Sequence, residues 1–241
     1  MRILIANDDG IDSRGLHRLA FLAKELGEVW VAAPHSQCSA MSHRISVFDC
    51  LDVKKEPEFP VEGVQAFHVT GTPADCVKVA LEYLMPRKPD LVFSGINHGY
   101  NVGLDILYSG TVGAAMEALV NGIPAMAFSN DTNDDCRISD HYLIPIVKEL
   151  LGREISGHEI WNINFPKGDP EKVKGILTDR FTASKSAYKN VYTPVEERDG
   201  TVRLSITGIR QEGAEEGSDM AAVLAGYISV GKVESALLKK R

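Results

Sequence analysis

The chain has 241 residues, 44% of them hydrophobic and 24% charged, an ordinary globular balance that argues against global disorder. Its formal net charge of −7 argues against duplex nucleic acid as a partner, because that needs a basic surface. No apolar run is long enough to span a bilayer and no signal segment precedes the first strand, so no membrane partner and a cytoplasmic location are expected. Cys38, Cys50, Cys76 and Cys136 form no CxxC pair and no zinc spacing, and read as free thiols of a reducing compartment.

Ile3, Leu4, Ile5 and Ala6 are apolar at successive positions, as a strand covered on both faces must be, and they run into Asn7-Asp8-Asp9-Gly10. Leu16, Leu19, Ala20, Ala23 and Leu26 recur at helical spacing, predicting a helix from Ser13 to a stop at Gly27. Val29–Pro34 is the next buried strand, and this strand–helix–strand opening implies parallel strands with a right-handed crossover. A polar loop, His35–His43, follows. Ile45–Val53 is rich in β-formers, Lys54–Glu62 reads as a charged turn, and Val64–Val69 as a strand. Thr72, Pro73 and Asp75 form a strong helix start, with Thr72 as the N-cap.

Asp90–Ser94 reads as a strand followed by a loop rich in glycine and asparagine, Gly95–Gly103. Ser109-Gly110-Thr111 opens a helix that Asn121-Gly122 stops. Pro124–Ser129 is a strand, Asp140–Leu151 a helix with Pro145 in its first turns, and Ile160–Asn164 a closing strand. The character changes near Pro166. Val191–Glu196 and Thr201–Thr207 predict a hairpin across Asp199-Gly200, Ser218-Asp219 caps a short helix at Met220–Leu224, and Tyr227–Val230 is a strand before the basic tail Leu237–Arg241. The expected fold is α/β with a mostly parallel sheet. The core lies within residues 1–165, and residues 166–241 form an extension packed on it or on a second subunit.

Parallel strands share one carboxyl edge, where open α/β sheets place their ligands. Asn7–Gly10, His35–His43, Gly95–Gly103 and Ser109–Thr111 all leave that edge. Adjacent carboxylates at Asp8 and Asp9 repel each other, and a cation relieves the repulsion. With Ser39, Asn97 and Asn101 they make an all-oxygen donor set suited to magnesium, manganese or calcium. Ser109, Gly110 and Thr111 at a helix start form an anion site or an ordinary cap. Cys38 between His35 and His43 lacks any signature of a catalytic thiol. His98 reads either as a general acid or as a surface side chain, and Tyr100 and Tyr108 either stack a base or pack against the loop.

These segments together resemble the SurE family, the stationary-phase survival proteins. The resemblance rests on Asn7-Asp8-Asp9-Gly10, Ala33-Pro34 with Ser39, Gly71-Thr72-Pro73-Ala74-Asp75-Cys76, Ser94-Gly95-Ile96-Asn97 with Gly99 and Asn101, Tyr108-Ser109-Gly110-Thr111-Val112, and Ser218-Asp219 with Gly226-Tyr227-Ile228-Ser229. It implies a single domain, a Rossmann-like three-layer core plus a C-terminal extension with a β-hairpin and short helices. It implies one divalent ion per subunit, magnesium or manganese, held by Asp8, Asp9, Ser39 and Asn97. It implies hydrolysis of nucleoside 5′-monophosphates, with 3′-nucleotides and short polyphosphate as further substrates, in a homodimer or homotetramer built through the extension.

Asp8, Asp9 and Asn97 are then the expected catalytic residues, with Asn101, Ser109, Gly110 and Thr111 on the phosphate. One departure is Cys38-Ser39-Ala40-Met41, where relatives usually carry arginine and glycine; another is His17, with Arg14 nearby. A receiver-type signalling domain also opens on paired aspartates, but it needs a lysine that Met126–Asn130 lacks. A haloacid-dehalogenase-type phosphatase needs Asp-x-Asp-x-Thr, and this chain has adjacent aspartates followed by Gly10-Ile11.

Overall fold

The computed structural model describes residues 1–132 and 136–239. Eleven strands and five α-helices are present among them: β1 (Arg2–Ala6), α1 (Arg14–Ala23), β2 (Glu28–Pro34), β3 (Val53–Lys55), β4 (Gln65–Val69), α2 (Pro73–Val79), β5 (Leu91–His98), α3 (Gly110–Val120), β6 (Ala125–Asn130), α4 (Arg137–Leu150), β7 (Glu159–Asn164), β8 (Ile176–Arg180), β9 (Tyr188–Arg198), β10 (Thr201–Arg210), α5 (Asp219–Leu224) and β11 (Ile228–Glu234).

Nine strands make one sheet in the order β3-β4-β2-β1-β5-β6-β7-β11-β8. From β4 to β7 every neighbouring pair is parallel. β3 and β11 pair antiparallel with β4 and β7 at either end of that run. β1 sits in the middle with β2 on one side and β5 on the other, so the chain reverses its direction of travel across the sheet there. A crevice opens at the carboxyl ends of strands at such a switch point.

The alternation of β1 divides the core. Ile3 and Ile5 face the layer of α1 and α4, whereas Leu4 and Ala6 face the layer of α2 and α3. All four are fully buried. Burial on both faces makes this a three-layer α/β/α core, with Phe93 and Phe128 in edge-to-face contact at its centre. A third, smaller cluster of Tyr100, Val102, Ala183, Ala187, Met220 and Val223 ties the extension to the core.

Several expectations need correction. α1 ends at Ala23, and tighter turns with Glu25 and Leu26 N–H groups bonded three residues back finish the segment before Gly27. α4 begins at Arg137, so Pro145 lies in its interior rather than its first turns. The buried face of Ile138, Leu143, Ile144, Ile146, Val147 and Leu150 offsets the lost backbone bond. Of the β-former-rich Ile45–Val53 only Val53 enters a strand, because β3 runs on through Lys54 and Lys55. β5 continues to His98, so Asn97 belongs to a strand rather than a loop. β8 was unforeseen. The hairpin is longer than expected, and its turn residues Asp199 and Gly200 have φ of 50° and 74°, as a two-residue turn of this hand requires. Lys240 and Arg241 of the basic tail lie outside the described residues.

Candidate active site

The turn after β1 is fixed by Asn7, whose Nδ2 donates to Gly10 O (2.9 Å) and to Ser13 Oγ (2.8 Å). Ser13 in turn caps α1 by accepting from Leu16 N–H. This network places Asp8 and Asp9 at the crevice in different environments. Asp8 is 4% exposed, and Thr111 Oγ1 donates to its Oδ1 at 2.5 Å. Burial pushes the Asp8 carboxyl up to about 6; the Thr111 hydroxyl pulls it down and the Asp9 charge pushes it up again. Asp9 is half-buried: its Oδ2 accepts from His98 N–H at 2.9 Å, and Gln37 Nε2 approaches Oδ1 at 3.5 Å.

Asn97 borders both of the clefts in which the two carboxylates lie. A bulge in β5 sets one extra residue against β6 between Ser94 and Asn97, which re-aims the Asn97 side chain. Its Nδ2 donates to Gly99 O at 2.7 Å, which commits the amide nitrogen and leaves the carbonyl oxygen for a ligand. Asp8, Ser39, Asn97, Asn101 and Ser109 line one cleft of about 310 Å³. Asp9 lines a neighbouring cleft of about 380 Å³ with Ser13, Arg14 and Gln37, and Asn97 and His98 form the wall shared by both.

Ser39 is exposed on the loop after β2. That loop lies directly on α3: a Cβ added at Gly113 would meet Ser42 O at 2.3 Å, so only glycine admits the contact. Ser42 Oγ donates to Leu107 O, and His43 Nε2 lies 2.8 Å from the buried Glu117 Oε2. Ala40, at the position where the family resemblance leads one to expect glycine, has φ of 57°, a conformation that favours glycine. Cys38 donates its backbone N–H to Asp8 O at 2.7 Å. Burial, together with the Asp8 and Asp75 charges, raises its thiol pKa, which opposes a nucleophilic role.

The three residues at the start of α3 divide their work. Ser109 Oγ caps the helix by accepting from Val112 N–H. Thr111 is fully buried and serves Asp8. Gly110 is packed so closely on Asp8 that a Cβ would lie 2.8 Å from Asp8 Cβ. The helix terminus as a whole therefore faces the carboxylate corner, with its N–H end toward any anion held there. Asn101 is clamped: its N–H donates to Asn164 Oδ1, its Nδ2 to Ser129 Oγ, and its carbonyl accepts from the Asn162 and Asn164 amides. Asn162 and Asn164 were missed from sequence. Their signal was two amides at alternate positions of an otherwise apolar buried strand. His98 is exposed beside Asp9, and Thr72 is the cap it reads as, in a reciprocal pair with Asp75.

The family model described as "Survival protein SurE" matches residues 3–189, from β1 to just inside β9. The chain belongs to the SurE family. A protein of Pelotomaculum thermopropionicum named 5′-nucleotidase SurE is 40% identical over 238 residues, covering 97% of this chain and 89% of that protein. Its namesake in Clostridium botulinum strain Loch Maree is 34% identical over 236 residues, covering 95% and 91%. The 5′-nucleotidase SurE 1 of Thermus thermophilus is 38% identical over 236 residues, covering 97% and 91%. The crystal structure of the SurE protein from Aquifex aeolicus superposes with a TM-score of 0.82 at 37% identity, over 97% of this chain and 93% of that one. The α/β core with its antiparallel C-terminal hairpin is thus the fold of this family. Among the described residues no helix is long and apolar enough to cross a membrane.

Proposed function

We propose that this SurE-family chain is a divalent-metal-dependent phosphomonoesterase that hydrolyses nucleoside 5′-monophosphates to nucleoside and phosphate. The observation that carries the reading is Asp8: a buried carboxylate, held by the Thr111 hydroxyl, beside a second carboxylate whose charge opposes its ionisation. Such a pair is costly unless a cation joins it. Among the described residues no three His, Cys, Asp or Glu side chains cluster to hold a metal. The two carboxylates, with the Asn97 carbonyl and the Ser39 hydroxyl, offer a hard-oxygen set suited to one magnesium or manganese ion per subunit. The relatives named 5′-nucleotidase support the substrate class.

When bound, the ion supplies positive charge to the phosphoryl oxygens and makes a nearby water more acidic. The protein's own groups do the positioning. Thr111 holds Asp8, the His98 N–H holds Asp9, the N-terminal end of α3 attracts the phosphate, and the clamped Asn101 orients it. Asp8 and Asp9 would both be engaged in holding the ion, so the attack is assigned to water. Water adds to phosphorus, the bond to the 5′-oxygen breaks, and that oxygen leaves with a proton.

We extend the reading to 3′-nucleotides and short polyphosphate as further substrates, and to a cytoplasmic location, which the free cysteines support. We also assign the hairpin to subunit assembly as a homodimer or homotetramer. Tyr192, Leu204 and Ile206 fall on one face of β9–β10 by register and are 57%, 49% and 62% exposed. A long hairpin with exposed apolar side chains along one face invites a second copy. The function is tested by phosphate release from AMP, 3′-AMP and tripolyphosphate with manganese or magnesium. Release from AMP that EDTA abolishes is expected. No release from any substrate, or release indifferent to EDTA, would contradict the proposal.

A further inference from the structure

Three tyrosines line the cleft that contains Asp8 and Asn97: Tyr100, Tyr108 and Tyr188. They are not equivalent. Tyr100 is 7% exposed within the third hydrophobic cluster, and the Arg210 guanidinium lies over its ring at 5.7 Å from the centroid. That ring face is already occupied.

Tyr108 is 61% exposed, although its backbone is fixed on both sides. Its N–H donates to Asp105 O at 3.0 Å, and its carbonyl accepts from Ser42 N–H at 2.9 Å. It ends the 3₁₀ turn Leu104–Leu107 and directly precedes Ser109, the cap of α3. A rigidly mounted aromatic ring is thus left open to solvent at the edge of the phosphate end of the cleft.

Tyr188 arrives from the root of the hairpin and is half-buried. The Asp105 carboxylate fixes it there: Oδ2 accepts from Ala187 N–H at 2.9 Å and from Tyr188 N–H at 3.3 Å. Leu104 N–H also donates to Lys185 O at 3.1 Å, so the turn and the hairpin root are bonded along their length. One residue, Asp105, therefore holds both tyrosines to the same rim, by its carbonyl and by its carboxylate.

Taking the nucleotidase reading as its basis, we propose that Tyr108 is the platform on which the substrate's nucleobase stacks, that Tyr188 forms a second wall of that subsite, and that Asp105 positions the two. Stacking on an aromatic ring accepts every base, because every base presents a π-face, and it favours larger rings. The subsite thus admits all nucleotides with a modest preference for purines. It also makes the hairpin root part of the substrate site, apart from any role in assembly.

The test compares AMP with ribose 5-phosphate, which carries the same ester without a base. The wild-type chain should show a higher kcat/KM for AMP. Tyr108→Ala should lower the AMP to ribose 5-phosphate ratio by roughly tenfold, chiefly through KM for AMP, and Tyr108→Phe should keep the ratio. Asp105→Asn should lower the ratio in the same direction, as a positioning residue would. An unchanged ratio in Tyr108→Ala, or a wild-type ratio near one, would overturn the base subsite and leave the phosphatase reading standing. Absence of phosphate release by the wild-type chain from either ester would overturn the nucleotidase reading and the subsite with it.

Discussion

β1 and the β9–β10 hairpin are both extended and both carry apolar side chains, yet they place them oppositely. Ile3, Leu4, Ile5 and Ala6 are fully buried between two helical layers, and both ladder partners of β1 come from the same chain. Tyr192, Leu204 and Ile206 are exposed on a hairpin whose two strands pair only with each other among the described residues. The core is complete in one chain, and the carboxylate corner is built wholly on it. The hairpin leaves one apolar face exposed, and its root reaches the cleft through Tyr188. The carboxylate corner and the exposed hairpin are thus separate pieces of the chain, joined by the bonds around Asp105.

The largest effect that sharpens this contrast comes from the core. Phe93→Ala removes a fully buried ring packed on Phe128 and should lower unfolding free energy by about 3–5 kcal/mol, measured by urea denaturation. A loss below about 1 kcal/mol would mean that the centre of the sheet repacks freely. The hairpin should respond in the opposite way. Leu204→Ser with Ile206→Ser should leave unfolding of the isolated subunit within about 0.5 kcal/mol while shifting the assembly to monomer in sedimentation velocity. An unchanged oligomer would remove the hairpin from the interface. The smallest effect concerns the loop that carries Ser39. Ala40→Gly relieves a positive φ and should stabilise by about 0.5 kcal/mol, read from the urea midpoint. Destabilisation would mean that the loop gains more from a stiff residue than it loses to strain.

Much of this was legible in the sequence for stated reasons. β1 reads as a buried strand because four successive apolar residues leave no polar face. Thr72, Pro73 and Asp75 read as a helix start because each satisfies a separate requirement of the first turn, and the capping pair is present. Asp199-Gly200 reads as a hairpin turn because both positions must take positive φ, as they do. The missing parts depend on partners distant in sequence. β8 is a half-exposed edge strand, and its pairing with β11 is what makes it a strand. Ile45–Val53 has the composition of a strand, but Val47 and Phe48 are 69% and 98% exposed and belong to no strand. Periodicity also hid the role of Thr111, because its bond to Asp8 spans 103 residues. Adjacency in sequence also hid how differently Asp8 and Asp9 are surrounded. The two are neighbours in the chain, yet one is sealed against α3 and the other opens toward α1 and His98.

The central claim is that the Asp8–Asp9 corner, closed by Asn97 and Ser39, takes one divalent ion on which turnover depends. Manganese titration followed by electron paramagnetic resonance of the free ion tests it most directly, with the wild-type chain compared with Asp9→Asn. The His98 N–H can still be accepted by an asparagine carbonyl, so the fold and its unfolding midpoint should be retained. The account predicts one tight manganese per chain in the wild type, and loss of both that binding and AMP hydrolysis in the variant. Undiminished manganese binding with near-normal hydrolysis in Asp9→Asn would contradict it.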